Sequence, residues 1–294
     1  MRVKIRPPKI RPLKILPRKP EIIVGIPSYN EARNIQSTTT IIDKGLIKYF
    51  PDKKALIINV DSDSPDGTRK VFLNTRTKTP KQYLECPKGK GASLKKLFEN
   101  FLETESAQVL IIIDANATTA SPRWIRNLAL PILKGFDHVF PMYNGHEHDT
   151  TVTNLFCYPV VRGVLGVDIR QLRTGDTAMS RRAVDRLLSR AWPPSSEKYG
   201  IDILAPLSSI FGELRMAQSY LGERNHGEEM DRLIDSFEDR ASTLFDKLDK
   251  YSHVWKVDVR TRKAPVFFSG HRKSRLPSVK VDYHSRIEYA IDEF

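Results

Sequence analysis

The sequence predicts an α/β fold, a mostly parallel sheet with helices on both faces. Three observations predict it. Short apolar runs alternate with helical stretches between residues 21 and 113, giving four βα alternations. The apolar runs end in polar or glycine-rich clusters, and ligands of open α/β sheets bind at the carboxyl ends of their strands. The chain has 294 residues, 40% of them hydrophobic, which is enough for one such domain with a sizeable core.

Glu21–Pro27 (EIIVGIP) reads as a buried strand, followed by Ser28-Tyr29-Asn30-Glu31 and a helix from about Ala32 to Lys48. Ala55–Val60 is a second strand. It runs into Asp61-Ser62-Asp63-Ser64-Pro65-Asp66-Gly67-Thr68, a dense run of turn formers and carboxylates. A helix starts at Thr68, and Lys81–Leu84 makes a short third strand. Gly89-Lys90-Gly91 then forms a loop before a helix over Ala92–Glu105, and the fourth strand, Val109–Ile113, ends at Asp114-Ala115-Asn116. The second half is less regular. Phe140–His148 reads as a polar loop, Thr153–Gly166 as a helix despite Pro159, and Arg181–Arg190 as a short helix. Asp202–Gln218 reads as a helix leading to a strand near Ala217–Leu221. Glu228–Tyr251 is the clearest helix, with Met230, Leu233, Ile234, Phe237, Leu244, Phe245, Leu248 and Tyr251 at three- and four-residue steps. That stripe is core or interface. There are no internal repeats.

Charge and composition exclude several classes. The formal net charge is +13, but eight Lys or Arg and no acid lie in the first twenty residues, leaving +5 for the rest. Residues 1–20, with Pro7, Pro8, Pro12, Pro17 and Pro20, read as a basic solvated tail. A nucleic-acid-binding protein is the alternative that a pI near 9.7 suggests; the charge is tail-concentrated and no recognition motif is present. Runs such as Val109–Ile113 are too short to span a bilayer, and no apolar stretch follows the basic start, so neither a transmembrane segment nor a secretory leader is expected. Cys86 and Cys157 make neither a disulfide framework nor a zinc site, which suits a reducing cytoplasm.

Taken singly, the polar clusters have bland readings as well as chemical ones. Asp114 and Asn116 would face one hard cation if the segment were extended, since alternate side chains then point the same way. Lys90 and the N–H groups of its glycine loop could meet a phosphate, or form an ordinary turn. His226 is an isolated histidine, and Asp202 alone would read as a helix N-cap.

Together the segments resemble a family in order and spacing: the retaining GT-A glycosyltransferases that make glucosylglycerate, glucosyl-3-phosphoglycerate and mannosylglycerate. The resemblance runs from about Ile22 to Tyr251. Ile26-Pro27-Ser28-Tyr29-Asn30-Glu31 is similar to the family's nucleotide-binding P-x-x-N-E segment, and Asp61–Thr68 to its second nucleotide-side loop. Gly89-Lys90-Gly91 matches the loop whose lysine approaches the donor, and Asp114-Ala115-Asn116 falls at the D-x-D triplet. Arg170-Gln171-Leu172-Arg173-Thr174-Gly175-Asp176, leading to Ser180, resembles the R-Q-P-x-x-G-[DE]…S stretch beside sugar and acceptor. Tyr199-Gly200-Ile201-Asp202 resembles the element at the reacting centre. His226 stands at the metal-binding histidine, and Thr153 at a threonine near the acceptor carboxylate.

The resemblance implies a GT-A fold, Rossmann-like, with a nucleotide-binding half over 21–116, a fused acceptor half over 117–251 and a C-terminal extension over 252–294. It implies transfer of a glucosyl or mannosyl group from a UDP-, GDP- or ADP-hexose to a small hydroxy acid such as glycerate or 3-phosphoglycerate. A lipid-carrier or polysaccharide acceptor is the alternative, and self-association as a homodimer is a further expectation. The implied donor residues are Pro27, Tyr29, Glu31, Ser62, Lys90 and Asp114. The acceptor residues are Thr153, Arg173 and Gly175, and the metal ligands, for Mg²⁺ or Mn²⁺, are Asp114, Asn116 and His226. Asp176 and Asp202 are the implied catalytic residues, Asp202 as orienter or base. Two departures stand out. Asn116 replaces the second acid of the triplet, removing a charge from the metal site. Phosphoglycerate-using relatives carry a basic residue where this chain has Thr151. A phosphorylated acceptor would therefore need Arg162, Arg170 or Arg173, and the sequence favours glycerate.

Overall fold

The computed structural model describes residues 19–144, 152–224, 233–256 and 262–268. The first half follows the expected alternation: β1 (Ile22–Ser28), α1 (Ile35–Tyr49), β2 (Ala55–Asp61), α2 (Thr68–Asn74), β3 (Lys81–Glu85), α3 (Lys90–Glu103), β4 (Val109–Ile112) and α4 (Pro122–Leu133). The second half adds β5 (His138–Asn144), a π-helical turn over Thr153–Cys157, α5 (Tyr158–Leu165), β6 (Val167–Asp168), β7 (Thr177–Ser180) and α6 (Arg181–Leu188). After a 3₁₀ turn at Pro194–Glu197 come α7 (Ile201–Phe211), β8 (Met216–Glu223), α8 (Leu233–Lys250), α9 (Ser252–Trp255), β9 (Arg262–Lys263) and β10 (Val266–Phe267).

The strands form one eight-stranded sheet in the order β10-β8-β5-β7-β4-β1-β2-β3, and β6 and β9 pair separately. All neighbours in the sheet are parallel except β7, which runs antiparallel to both β4 and β5. Burial on both faces explains the continuous apolar runs of β1, β2 and β4. Ile22, Val24 and Ile26 point to α1 and α4, where Trp124 and Leu128 pack. Ile23, Ile58 and Leu110 point to α3, α6 and α7, against Leu97, Phe98, Val184 and Leu204. A third cluster joins Phe140, Val161, Ile203, Leu207, Leu244 and Leu248 under α5, α7 and α8.

Two sequence expectations change, at residues 138–144 and at Pro20, and two are refined. Residues 138–144 form a strand, not a loop. Its Pro141 lies past the short β7 ladder, which ends at Val139, so the missing N–H breaks no bond on that side. The stripe on α8 divides: Leu244 and Leu248 are core, whereas Phe237 and Phe245 are exposed. Pro20, placed in the tail, is buried, and its carbonyl accepts from Ser106 Oγ at 2.9 Å. The C-terminal extension supplies an edge strand, β10, beside β8. The remaining tail residues, 1–18 and 269–294, lie outside the described residues. Among the described residues, no helix is long and apolar enough to cross a membrane.

His138 is fully buried in β5, with Nδ1 2.7 Å from Ser209 Oγ and its ring 4.0 Å from that of Phe140. Burial pushes its pKa down to about 3. The folded state therefore keeps the ring neutral while the unfolded chain takes up a proton near pH 6.5. The sign follows: this contribution is complete above pH 6.5 and is lost as pH falls toward 3. Urea unfolding at pH 7, 6 and 5 should show stability declining by up to about 1.4 kcal/mol per pH unit below the unfolded pKa. His138→Asn should remove that slope, and equal slopes in both proteins would refute the assignment.

Candidate active site

The site lies at the carboxyl ends of β1, β2 and β4, and the antiparallel β7 completes it. Thr177, which opens β7, pairs with Ile112, which closes β4. The loop before β7 is thereby laid over the loop after β4. The Asp114 N–H donates to Asp176 Oδ1 at 3.1 Å. Gly175 comes so close that a Cβ there would stand 2.2 Å from Asp114 Oδ2, which leaves room for glycine alone.

Asp114 is the hub. Its Oδ2 accepts from Arg173 Nη2 at 2.7 Å and from Arg224 Nη2 at 3.0 Å, and Lys90 Nζ lies 3.9 Å from Oδ1. Arg224 also pairs with Asp176, which accepts from Tyr143 OH at 2.7 Å. Lys90, at the start of α3, bonds Asp202 Oδ1 at 2.9 Å, and Arg240 of α8 bonds Asp202 Oδ2 at 2.7 Å. The loop of Lys90 is fixed by close backbone contact. The Gly91 N–H donates to the Lys198 carbonyl at 3.1 Å, and a Cβ on Gly91 would lie 1.8 Å from the Ser196 carbonyl.

Burial works against ionisation of Asp114, but the charges of Lys90, Arg173 and Arg224 outweigh it and hold the carboxyl well below its usual range. Burial likewise opposes ionisation of Asp202, and Lys90, Arg240 and Arg173 overcome it. Burial pushes the Tyr143 hydroxyl up to about 12, so it stays a donor. The cations thus favour the ionised form of both carboxyls.

Beside this cluster is an open cavity of about 680 Å³ lined by Tyr29, Ser62, Asp63, Pro65, Glu85, Cys86, Pro87 and Lys88, with Lys88 Nζ 4.7 Å from the Tyr29 ring centroid. Carboxylates staple its loop in place. Asp61 accepts from the Ser64 N–H at 3.0 Å and from Ser28 Oγ at 2.7 Å, and Asp66 accepts from the Ala32 N–H at 2.9 Å. These acids shape the pocket wall.

The structure thus brings together Lys90, Asp114, Arg173, Gly175, Asp176 and Asp202, and it sets Tyr29 and Ser62 on the adjoining cavity. Pro27 is part-buried within β1, paired with Val60. The Glu31 side chain turns back to accept from Asn34 Nδ2 at 2.9 Å. Asn116 shares the loop of Asp114, but strand alternation does not place it. The segment is a turn closed by the Ala117 N–H on the Asp114 carbonyl at 3.1 Å. Thr153 is buried at the start of the π-helical turn. The turn's other end nears the cluster: burial raises the Cys157 thiol to about 11, and the charges of Arg240 and Asp202 also act on it. Ser180 caps α6 and bonds Asp137 at 3.0 Å. Arg162 and Arg170 gather on Tyr158: Arg162 Nη1 donates to its hydroxyl at 2.5 Å, and Arg170 lies 4.6 Å from its ring centroid. His226 and Thr151 lie outside the described residues.

Arg224, Arg240 and Tyr143 escape the sequence reading. Arg240 had a signal: it stands on the apolar stripe of α8, three residues after Phe237 and four before Leu244, where a cation needs a buried anion. Arg224 lies two residues before His226 in a segment read only for the histidine.

No family model and no curated protein matches the sequence. Solved structures do. Glucosyl-3-phosphoglycerate synthase from Mycobacterium tuberculosis, in complex with Mn²⁺, uridine diphosphate and glucosyl-3-phosphoglycerate, aligns with TM-score 0.63 at 24% identity over 78% of this chain and 80% of that one. The same enzyme with Mn²⁺, UDP-glucose and phosphoglyceric acid gives 0.63, 24%, 78% and 80%. With Mn²⁺, UDP-glucose and glycerol 3-phosphate it gives 0.62, 24%, 78% and 80%. The fold is the GT-A arrangement that the sequence predicts.

Gly175→Ala tests the close approach. The added methyl must push Asp114 off its arginines, and overpacking of this kind costs about 1–3 kcal/mol. Thermal unfolding should show a clear loss of stability, and a variant as stable as the parent would mean that the loop is not seated on Asp114.

Proposed function

We propose that this chain is a nucleotide-sugar hexosyltransferase. It would move glucose or mannose, with retention of anomeric configuration, from a nucleoside diphosphate to a small hydroxy acid such as glycerate or 3-phosphoglycerate. One observation carries the reading: Lys90, Arg173 and Arg224 converge on a buried carboxylate beside an open cavity that presents Tyr29 and Lys88. A base stacks on the tyrosine ring, and the diphosphate extends toward the cations. Support also comes from the solved structures of the same fold, which hold UDP-glucose, phosphoglyceric acid or glycerol 3-phosphate. The reading admits a UDP-, GDP- or ADP-hexose as donor.

A divalent cation fits this donor set when it arrives with the nucleotide. Among the described residues no three His, Cys, Asp or Glu side chains form a metal-binding group. Mg²⁺ commonly takes one or two carboxylates together with substrate phosphate oxygens and water. Asp114 is the carboxylate, and the amide oxygen of Asn116 and the ring of His226 are the further ligands that the sequence offers. Mn²⁺ and Mg²⁺ accompany uridine diphosphate in structures of the same fold. When bound, the cation neutralises charge on the leaving diphosphate.

The protein's own residues position the rest. Lys90 faces the diphosphate and is held by Asp202, which Arg240 holds in turn. A carboxylate with so low a pKa makes a poor general base, because base strength falls with pKa. Asp202 therefore acts as an orienter. The acceptor proton goes to the departing phosphate oxygen as the bond from the anomeric carbon to that phosphate breaks and the bond to the acceptor oxygen forms on the same face. Asp176 anchors Arg224.

One feature favours a second reading, an acceptor carried on a lipid. Leu155, Phe237 and Phe245 are exposed together around Phe156, whose ring lies 5.0 Å from Phe237 and 5.9 Å from Phe245. Binding to phospholipid vesicles without added substrate would favour that acceptor class over a free hydroxy acid.

The test is a transfer assay of UDP-, GDP- and ADP-glucose and -mannose against glycerate and 3-phosphoglycerate, with donor affinity measured by calorimetry. One donor should bind and be consumed. Lys90→Ala should weaken its binding roughly tenfold or more, the loss of a charge-assisted hydrogen bond. Unchanged affinity would remove Lys90 from the donor site, and no binding by any of the six sugars would sink the reading.

A further inference from the structure

Side-chain cations surround Asp114, where the metal would bind. Its Oδ2 is shared by two guanidinium groups at 2.7 and 3.0 Å, and Lys90 stands 3.9 Å from Oδ1. Among the described residues, four cations of this cluster, Lys90, Arg173, Arg224 and Arg240, face three carboxylates, Asp114, Asp176 and Asp202. Three of these cations stand on Asp114 itself, at 2.7, 3.0 and 3.9 Å, and the side chains of the cluster are at most 18% exposed. Adding a divalent cation to such a site brings like charges together where water screens them little. A diphosphate removes the conflict, because its oxygens accept the guanidinium hydrogen bonds and leave the carboxylate to the metal.

The two arginines are not equivalent. Arg224 is 3% exposed and anchored twice more, by Asp176 and by Tyr143 OH at 3.1 Å. Arg173 is 13% exposed and comes from the loop between β6 and β7. It belongs to no strand or helix.

We propose that Arg173 is a built-in cation that occupies the metal seat on Asp114 in the free protein and transfers to the diphosphate when the nucleotide binds. Resting on the donor reading above, it makes Arg173 a positioning residue of the donor site, where the sequence resemblance places it with the acceptor. Asn116 belongs to the same design: with one acid fewer at the triplet, the free site attracts a metal weakly and the guanidinium prevails. Nucleotide and metal then bind with positive coupling, each favouring the other.

Mn²⁺ binding to the free protein, read by electron paramagnetic resonance of unbound Mn²⁺, tests the seat without any turnover. Wild type should bind weakly at this site. Arg173→Met and Arg173→Gln should each gain on the order of tenfold in affinity. Arg173→Lys, which keeps the charge, should stay near wild type, and adding Asp114→Asn to Arg173→Met should abolish the gain. In chelator, calorimetry with UDP, GDP and ADP should show the opposite sign: Arg173→Met loses on the order of tenfold for the diphosphate that wild type binds. A merely structural arginine would not move the two affinities in opposite directions. No gain in Mn²⁺ affinity, or a gain that survives Asp114→Asn, would overturn the proposal, as would failure of both neutral variants to fold. If no diphosphate binds wild type with or without metal, the donor reading fails, and the Mn²⁺ titrations still decide who holds the seat.

Discussion

The site depends on the burial of one ionised carboxylate. Asp114 lies buried two residues past a strand that is apolar on both faces, so an isolated charge there would be costly. It is kept by cations from three distant segments: Lys90 from α3, Arg173 from the β6–β7 loop and Arg224 from the end of β8. Each arrives because a different part of the sheet delivers it. The antiparallel pairing of β4 with β7 brings Arg173 and Gly175, and the parallel pairing of β5 with β8 brings Arg224 beside Tyr143. Fold and site are thus coupled: a register slip at either seam would leave a buried charge without its partner.

The same logic explains why the acids around the site divide their work. Asp61 and Asp66 accept backbone N–H groups and hold a loop open as a cavity wall. Asp114, Asp176 and Asp202 accept from side-chain cations and hold those cations apart in fixed directions. Asp202 orders Lys90 and Arg240, and Asp176 orders Arg224 and the Tyr143 hydroxyl. Preorganised charge of this kind suits stabilisation of a leaving group better than removal of a proton. Under the proposed function, the acceptor proton accordingly goes to the phosphate oxygen.

The first half of the fold was legible because its signals are local. Apolar runs of five to seven residues, each followed by turn chemistry and a helical stretch, locate β1, β2 and β4 to within a residue. The second half was less legible because its strands break local rules. β5 carries a histidine and a proline, β7 has four residues, and β10 has two. Those segments are strands because of what they lie beside.

The sequence by itself determined the α/β class, the parallel first half and the clustering of Tyr29, Ser62, Lys90 and Asp114 at strand ends, since periodicity and turn residues act over a few positions. It also determined that Asn116 stands where an acid is expected. Tertiary structure alone decided which charges meet. Asp114 lies 59 residues from Arg173 and 110 from Arg224, and Asp202 lies 38 from Arg240. It turned Asp114–Ala117 into a closed turn where alternation had suggested an extended pair. It also made Asp202 a charged anchor, because the acidity of a buried carboxyl is set by neighbours that only the folded chain supplies.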